Sequence, residues 1–216
     1  MTIQPERTVI MLGRKQFHAR FQPIVGLSQQ YYGAELLSIV SGVDNVEDFF
    51  SIQSSRSVRD LVEQQLKLVS GKNERIFINI AHQNLIDDDF VNRLLSIRTP
   101  LALEIEHLAS LSLEEHLRVR HNTGRLRDCG HQIWLDDVKR HTPLAALRYL
   151  YWDGIKIDKH YFWQMRGAFL QQAARFYRRY AQTILVEGIE TEVQYLHCRQ
   201  SGIDLGQGYY WHCYLP

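Results

Sequence analysis

Short apolar runs recur along the chain, and amphipathic segments of helical period lie between them. The runs are Phe21–Val25, Ile76–Ile80, Leu101–Ile105, Ile133–Asp137, Gly154–Asp158 and Thr183–Glu187, and each has the length and composition of a buried strand. Ser57–Leu68, Asp87–Leu95, Leu113–Asp128 and Phe162–Tyr180 carry apolar residues at helical spacing and predict helices. Alternation of strand and helix predicts an α/β fold with a parallel sheet, because parallel neighbours need a crossover between them. Periodicity alone leaves open whether that sheet is doubly wound or closed into a barrel. Near the start the rhythm differs: Phe21–Val25 and Tyr32–Val40 are separated only by a short polar stretch with Gly26, Ser28 and Gln29, which predicts a hairpin.

Polar residues interrupt these apolar strands at particular places. Asn79, Glu104, Asp136, Asp137, Lys156 and Glu187 each fall inside a predicted strand or at its C-terminal end. A carboxylate removed from water costs several kcal/mol unless it is paired or bound to a metal, so acids on successive strands imply a common partner. Taken singly, each has a plainer reading as an ion pair or a cap, and Lys156 as a lysine whose stem alone is covered. In a parallel barrel the C-terminal strand ends converge on one face, where ligands bind. Converging hard oxygen donors suit Mg²⁺ or Mn²⁺, and the ten histidines and three cysteines do not form a cluster at zinc-ligand spacing. Arg175, Arg178 and Arg179 form a basic run that reads as a solvated helix face, with an RNA-binding patch as the alternative.

The composition narrows the class. A chain of 216 residues, 45% of them hydrophobic, suits one domain over 1–216, with no linker or repeat to divide it. Twenty-five Lys and Arg against 24 Asp and Glu give no overall field, so neither a nucleic-acid polymer nor an anionic membrane is expected as the main partner. Cys129, Cys198 and Cys213 have no framework spacing and read as reduced thiols. With no apolar stretch of membrane-spanning length, a cytoplasmic location is expected.

The motifs, in order, resemble those of the EAL domains that hydrolyse cyclic di-GMP, from about Phe21 to Pro216. Phe21-Gln-Pro-Ile-Val25 resembles the family's opening strand, and Ala34-Glu-Leu-Leu37 its signature, with Leu36 in place of the usual alanine. Asn79 followed by Gln83, Leu85 and Phe90, then Leu103-Glu-Ile-Glu106, Asp136-Asp137 and Asp153-Gly-Ile-Lys-Ile-Asp158 follow the family's order. Val186-Glu-Gly-Ile-Glu-Thr-Glu192 and Gly206-Gln-Gly-Tyr209 complete the set. The resemblance implies a TIM-like (β/α)₈ barrel with one antiparallel strand near its start. It also implies two Mg²⁺ or Mn²⁺ ions: Glu35, Asn79, Glu104 and Asp136 hold one, Asp136 and Asp137 the second, with Glu187 and Glu190 supporting both. Glu187, Lys156 and Glu35 would be catalytic, Glu187 as general base and Lys156 holding the attacking water or a phosphate oxygen. Gln22, Pro23, Leu37, Asp158 and Gln207 would contact cyclic di-GMP, and the product would be linear pGpG.

The chain departs from the family pattern at three places. After Asp137 the glycine-rich Phe-Gly-Thr-Gly-Tyr-Ser-Ser loop is replaced by Val138-Lys-Arg-His-Thr-Pro-Leu144, where Lys139 and His141 resist backbone conformations open to glycine. His107 stands where a glutamate usually anchors that loop. Ile39 replaces an arginine that faces ligand phosphate, a loss of about 1.5–3 kcal/mol of charge-assisted hydrogen bonding. Because the loop belongs to the family's dimer contact, a weak homodimer is expected. Two further readings stand beside the phosphodiesterase: a non-enzymatic regulator that binds cyclic di-GMP or a regulatory protein partner, and an unrelated metal-dependent barrel enzyme.

Overall fold

The computed structural model describes residues 9–12, 15–40, 55–106, 108 and 110–213. His107 lies outside them. The strands are β1 (Val9–Leu12), β2 (Lys15–Gly26), β3 (Tyr31–Val40), β4 (Arg75–Asn79), β5 (Leu101–Ile105), β6 (Gln132–Val138), β7 (Trp152–Ile157), β8 (Ala181–Val186) and β9 (Leu205–Gly206). The described helices are α1 (Ser55–Val69), α2 (Asp88–Leu95), α3 (Leu113–Asp128), α4 (Leu144–Tyr149), α5 (Lys159–Gln164), α6 (Phe169–Tyr177) and α7 (Glu192–Gln200). Short 3₁₀ turns occupy His82–Ile86 and Tyr209–Cys213.

The strands follow one another in sheet order from β1 to β9, and β2 pairs with β9 as well. β6, β7, β8 and β9 run parallel, whereas β9 is antiparallel to β2. An α/β barrel order with a reversed strand near the start is therefore observed, and the periodicity that left the sheet open or closed is resolved in favour of closure. The predicted hairpin follows β2: the Gly26 N–H donates to the Gln30 carbonyl at 2.8 Å, the Gln29 N–H donates to the Gly26 carbonyl at 2.7 Å, and Gln29 takes a left-handed φ of 72°. The predicted helix Phe162–Tyr180 is two helices instead, broken at Gly167, whose φ of 52° is left-handed.

Two compact units divide the chain. The first gathers the described residues of Met1–Gln22, Ala34–Leu103 and Ala109–His131, and the second those of Pro23–Gly33, Glu104–Leu108 and Gln132–Pro216.

In the first unit, Ile76, Phe77 and Ile78 of β4 and Leu101, Ala102 and Leu103 of β5 are fully buried, with Leu85, Phe90, Val91, Leu94, Val119 and Leu126. Caps start the helices that supply them. The Asp87 carboxylate accepts the Phe90 N–H at 3.0 Å, and Ser112 and Glu115 form a reciprocal capping box at α3. Buried polar groups are tied to backbone: Asn122 Nδ2 donates to the Leu85 carbonyl at 2.9 Å, and His131 Nδ1 accepts the Leu101 N–H at 3.2 Å.

His82 is 1% exposed, and burial, helped by the charge of His116, lowers its pKa to about 4. Burial also lowers that of His131. An imidazole whose folded pKa lies below its unfolded value of about 6.5 stabilises the fold above that pH, and the stabilisation is lost as pH falls from there through about 4. The stability lost on acidification to below pH 4 from this residue alone is on the order of 3 kcal/mol. Urea midpoints between pH 4 and 7 are expected to fall with acid and to fall less steeply in His82→Gln. Parallel slopes would remove His82 from the account.

In the second unit, Trp134, Trp152, Ile155, Ile157, Ile184 and Leu185 form the fully buried centre. Gly154 is required because a Cβ there would overlap the Trp134 ring. Acids fasten strand backbone: Asp153 Oδ2 accepts the Ile133 N–H at 2.7 Å, and Asp204 Oδ2 accepts the Ile184 N–H at 2.8 Å. Arg178 donates to the Gly202 carbonyl and to Asp204 Oδ1, both at 2.8 Å, so this member of the basic run braces the fold although all three arginines are exposed.

Candidate active site

The second unit holds a buried lysine surrounded by acids. Lys156, in β7, is fully buried, and its Nζ lies 2.7 Å from Glu104 Oε1, 3.2 Å from Asp136 Oδ1 and 2.9 Å from Glu187 Oε1. Glu104 is also fully buried, near the end of β5, while Asp136 and Glu187 are partly accessible. One ammonium thus neutralises part of three converging carboxylates, which is what makes their burial tolerable.

A bulge brings the paired aspartates to this place. Leu135 pairs with Ile155 and Val138 with Ile157, so Asp136 and Asp137 together oppose Lys156 alone. In a regular strand the two side chains would point to opposite faces; the extra residue releases that alternation. Asp137 takes a φ of 54°, and its N–H donates to Asp136 Oδ1 at 2.8 Å. The left-handed residue in this stretch is thus Asp137 itself, and neither Lys139 nor His141 has a positive φ.

Lys139 Nζ lies 2.5 Å from Asp137 Oδ2. The hydrogen bond to Asp137 raises the pKa of Lys139 against partial burial, and the charges of Asp137, Asp158 and Glu106 add to the rise. Sequence reasoning singled out Lys139 for its backbone and missed its charge. A cation two residues after an acid pair was the available signal, but its meaning depends on the bulge.

The other expected residues are more dispersed. Asp158 is buried and caps α5, its Oδ1 accepting the Tyr161 N–H at 2.8 Å. After β8, Gly188 turns the chain with a φ of 71°, and its carbonyl accepts Trp163 Nε1–H at 2.8 Å. Beyond it Glu190 is exposed, with its N–H donating to Gln194 Oε1 at 2.8 Å. Gln207 is buried, and its backbone joins the Val186 carbonyl at 3.0 Å and the Ile189 N–H at 3.1 Å. Pro23 is half-buried. In the first unit, Glu35 on β3 is buried and accepts a hydrogen bond from Asn79 Nδ2 at 3.3 Å. Gln22 and Leu37 are half-buried, and Ile39 is exposed.

The donors are hard oxygens, the chemistry a divalent magnesium-like ion requires. Among the described residues no three acidic, histidine or cysteine side chains are already arranged as the shell of a metal ion, because Glu104, Asp136 and Glu187 close on the Lys156 ammonium. The acids gather around ammonium groups. A separate cavity of about 360 Å³ in the second unit is lined by Arg140, Thr142, Leu144, Tyr161, Phe169 and Phe176, and none of the acids lines it.

The EAL domain family model matches residues 6–212. The chain belongs to the EAL family. It is 28% identical over 174 residues to the probable cyclic di-GMP phosphodiesterase PdeG of Escherichia coli, covering 73% of this chain and 34% of PdeG. It is 24% identical to the E. coli cyclic di-GMP phosphodiesterase PdeH, covering 95% of this chain and 89% of PdeH. The chain therefore spans about a third of the length of one curated relative and most of the other. Among solved EAL structures, Klebsiella pneumoniae BlrP1 in a calcium and cyclic di-GMP complex superposes with a TM-score of 0.69 at 23% identity, covering 96% of this chain and 59% of that one. This likeness agrees with the barrel order of the strands. Among the described residues no helix is long and apolar enough to cross a membrane.

Proposed function

We propose that this EAL domain is a cyclic di-GMP phosphodiesterase that opens the cyclic dinucleotide to linear pGpG. The observation that carries the reading is the convergence of Glu104, Asp136 and Glu187 within 3.2 Å of the buried Lys156 ammonium. So costly an arrangement is retained where charge is used. The names of PdeG and PdeH and the BlrP1 complex support the substrate class.

Glu104, Asp136 and Glu187 would hold a divalent ion, Mg²⁺ or Mn²⁺, and the family resemblance gives Glu35, Asn79, Asp137 and Glu190 parts in the same task. Such an ion, when bound, polarises a phosphodiester oxygen and lowers the pKa of a water. Glu187, partly open to solvent, would accept a proton from the attacking water. Lys156 then offers its ammonium to the water or to the phosphate oxygen on which charge grows. The water oxygen bonds to phosphorus, one P–O3′ bond breaks, and the leaving ribose oxygen takes up a proton. Gln22, Pro23, Leu37, Asp158 and Gln207 are proposed to seat the nucleotide. The domain acts on a messenger of the bacterial cytoplasm and forms at most a weak homodimer.

Purified protein with Mg²⁺ or Mn²⁺ is expected to convert cyclic di-GMP to pGpG, resolved by chromatography, and Glu35→Ala is expected to convert none. Equal product from both proteins, or none from either, would reject the assignment. The pairing of Lys139 with Asp137 favours a second reading, a regulator that binds the nucleotide or a protein without cleaving it. Calorimetric binding of cyclic di-GMP without turnover would select that reading.

A further inference from the structure

We propose that Lys139 is a tethered cation that takes the place of a second divalent ion at Asp137, so that each chain holds one divalent ion and not two. The inference rests on reading the acids as a metal site and specifies how much metal that site accepts.

The two aspartates of the pair have different partners. Asp136 meets the Lys156 ammonium at 3.2 Å, whereas Asp137 meets that of Lys139 at 2.5 Å. Lys156 is fully buried and cannot leave without exposing three acids to one another. Lys139 is 56% exposed, but its backbone is fixed. The Lys139 N–H donates to Thr142 Oγ1 at 2.8 Å, and the Thr142 N–H donates back to the Lys139 carbonyl at 3.1 Å. This closed turn starts two residues after the pair and directs the Lys139 side chain back onto it. The charges of Asp158 and Glu106 also act on this ammonium.

A divalent ion at Asp137 would meet a carboxylate whose single charge this ammonium already balances, whereas three carboxylates against the one Lys156 ammonium leave two negative charges for an ion there. The tether also matters: a cation held a few bonds from its carboxylate competes at a high effective concentration that an ion in solution must exceed. Lys139 lies where the resemblance puts the first glycine of the loop, a position with no side chain. The bland alternative is a surface ion pair, which a divalent ion would displace at little cost.

Counting bound Mn²⁺ separates these. The full chain, without nucleotide, is titrated with Mn²⁺ while the free ion is followed by electron paramagnetic resonance. One ion per wild-type chain is expected, two for Lys139→Ala and Lys139→Gln, and one again for Lys139→Arg. Circular dichroism establishes that each variant is folded; with two neutral variants, a folding failure in one leaves the other as the test. Two ions on the wild type, or one on the neutral variants, would overturn the role of Lys139 and leave the metal site standing. No bound ion on any protein would overturn the metal reading itself.

Discussion

Lys156→Met is expected to destabilise the domain by about 3–5 kcal/mol, the usual penalty for removing one partner from a buried ion pair. The methionine fills similar space, so the loss is electrostatic. Glu104 would remain buried beside Asp136 and Glu187 with no cation among them. Turnover is expected to disappear as well, and because the fold suffers too, the two readouts are to be taken together. Saturating Mn²⁺ should restore part of the lost stability, since a divalent ion can supply the missing positive charge. Urea unfolding with and without Mn²⁺ measures both. A variant within about 0.5 kcal/mol of wild type, the scatter of surface substitutions, would mean that the ammonium does not neutralise these acids.

Gly208→Ala is the second large effect, expected to cost about 3 kcal/mol or more from backbone strain and overpacking together. Gly208 has a φ of 154°, and a Cβ there would run into the backbone of Ile189. That backbone cannot yield easily. The Ile189 N–H donates to the Gln207 carbonyl at 3.1 Å, and the Ile189 carbonyl accepts the Tyr210 N–H at 3.0 Å. The displacement would pass directly into the turn from Glu187 to Glu190, so turnover should fall along with stability. An unfolding midpoint equal to that of wild type would show that the segment relaxes at no cost.

Much of the fold was readable because burial leaves a local mark. The apolar runs at 76–80 and 101–105 match β4 and β5 to within a residue, and Leu113–Asp128 matches α3 at both ends. The capping box of Thr191 and Gln194 could have announced α7, which periodicity alone did not. A strand as short as Leu205–Gly206 carries no period and is defined only by its partners. The acids at strand ends were legible as an anomaly, since charge inside an apolar run stands out. Their grouping was not: Asp153 and Asp204 fasten backbone N–H groups twenty residues away, whereas Glu104, Asp136 and Glu187 meet at a lysine. Similar letters in similar strands thus divide into braces and site, and only three-dimensional neighbours separate them. The bulge opposite Lys156 is equally silent in the sequence, and with it the orientation of Asp137.

The bond from Trp163 to the Gly188 carbonyl gives the turn after β8 its own optical reporter. Of the four tryptophans, Trp134 and Trp152 are fully buried and Trp211 nearly so, whereas Trp163 is 37% exposed. His160 stands edge-on to it at 5.3 Å between ring centroids. A soluble quencher such as iodide therefore reaches one indole, and that indole is fastened to the peptide between Glu187 and Ile189. Emission from the natural chain, without any label, follows the segment that carries Glu187.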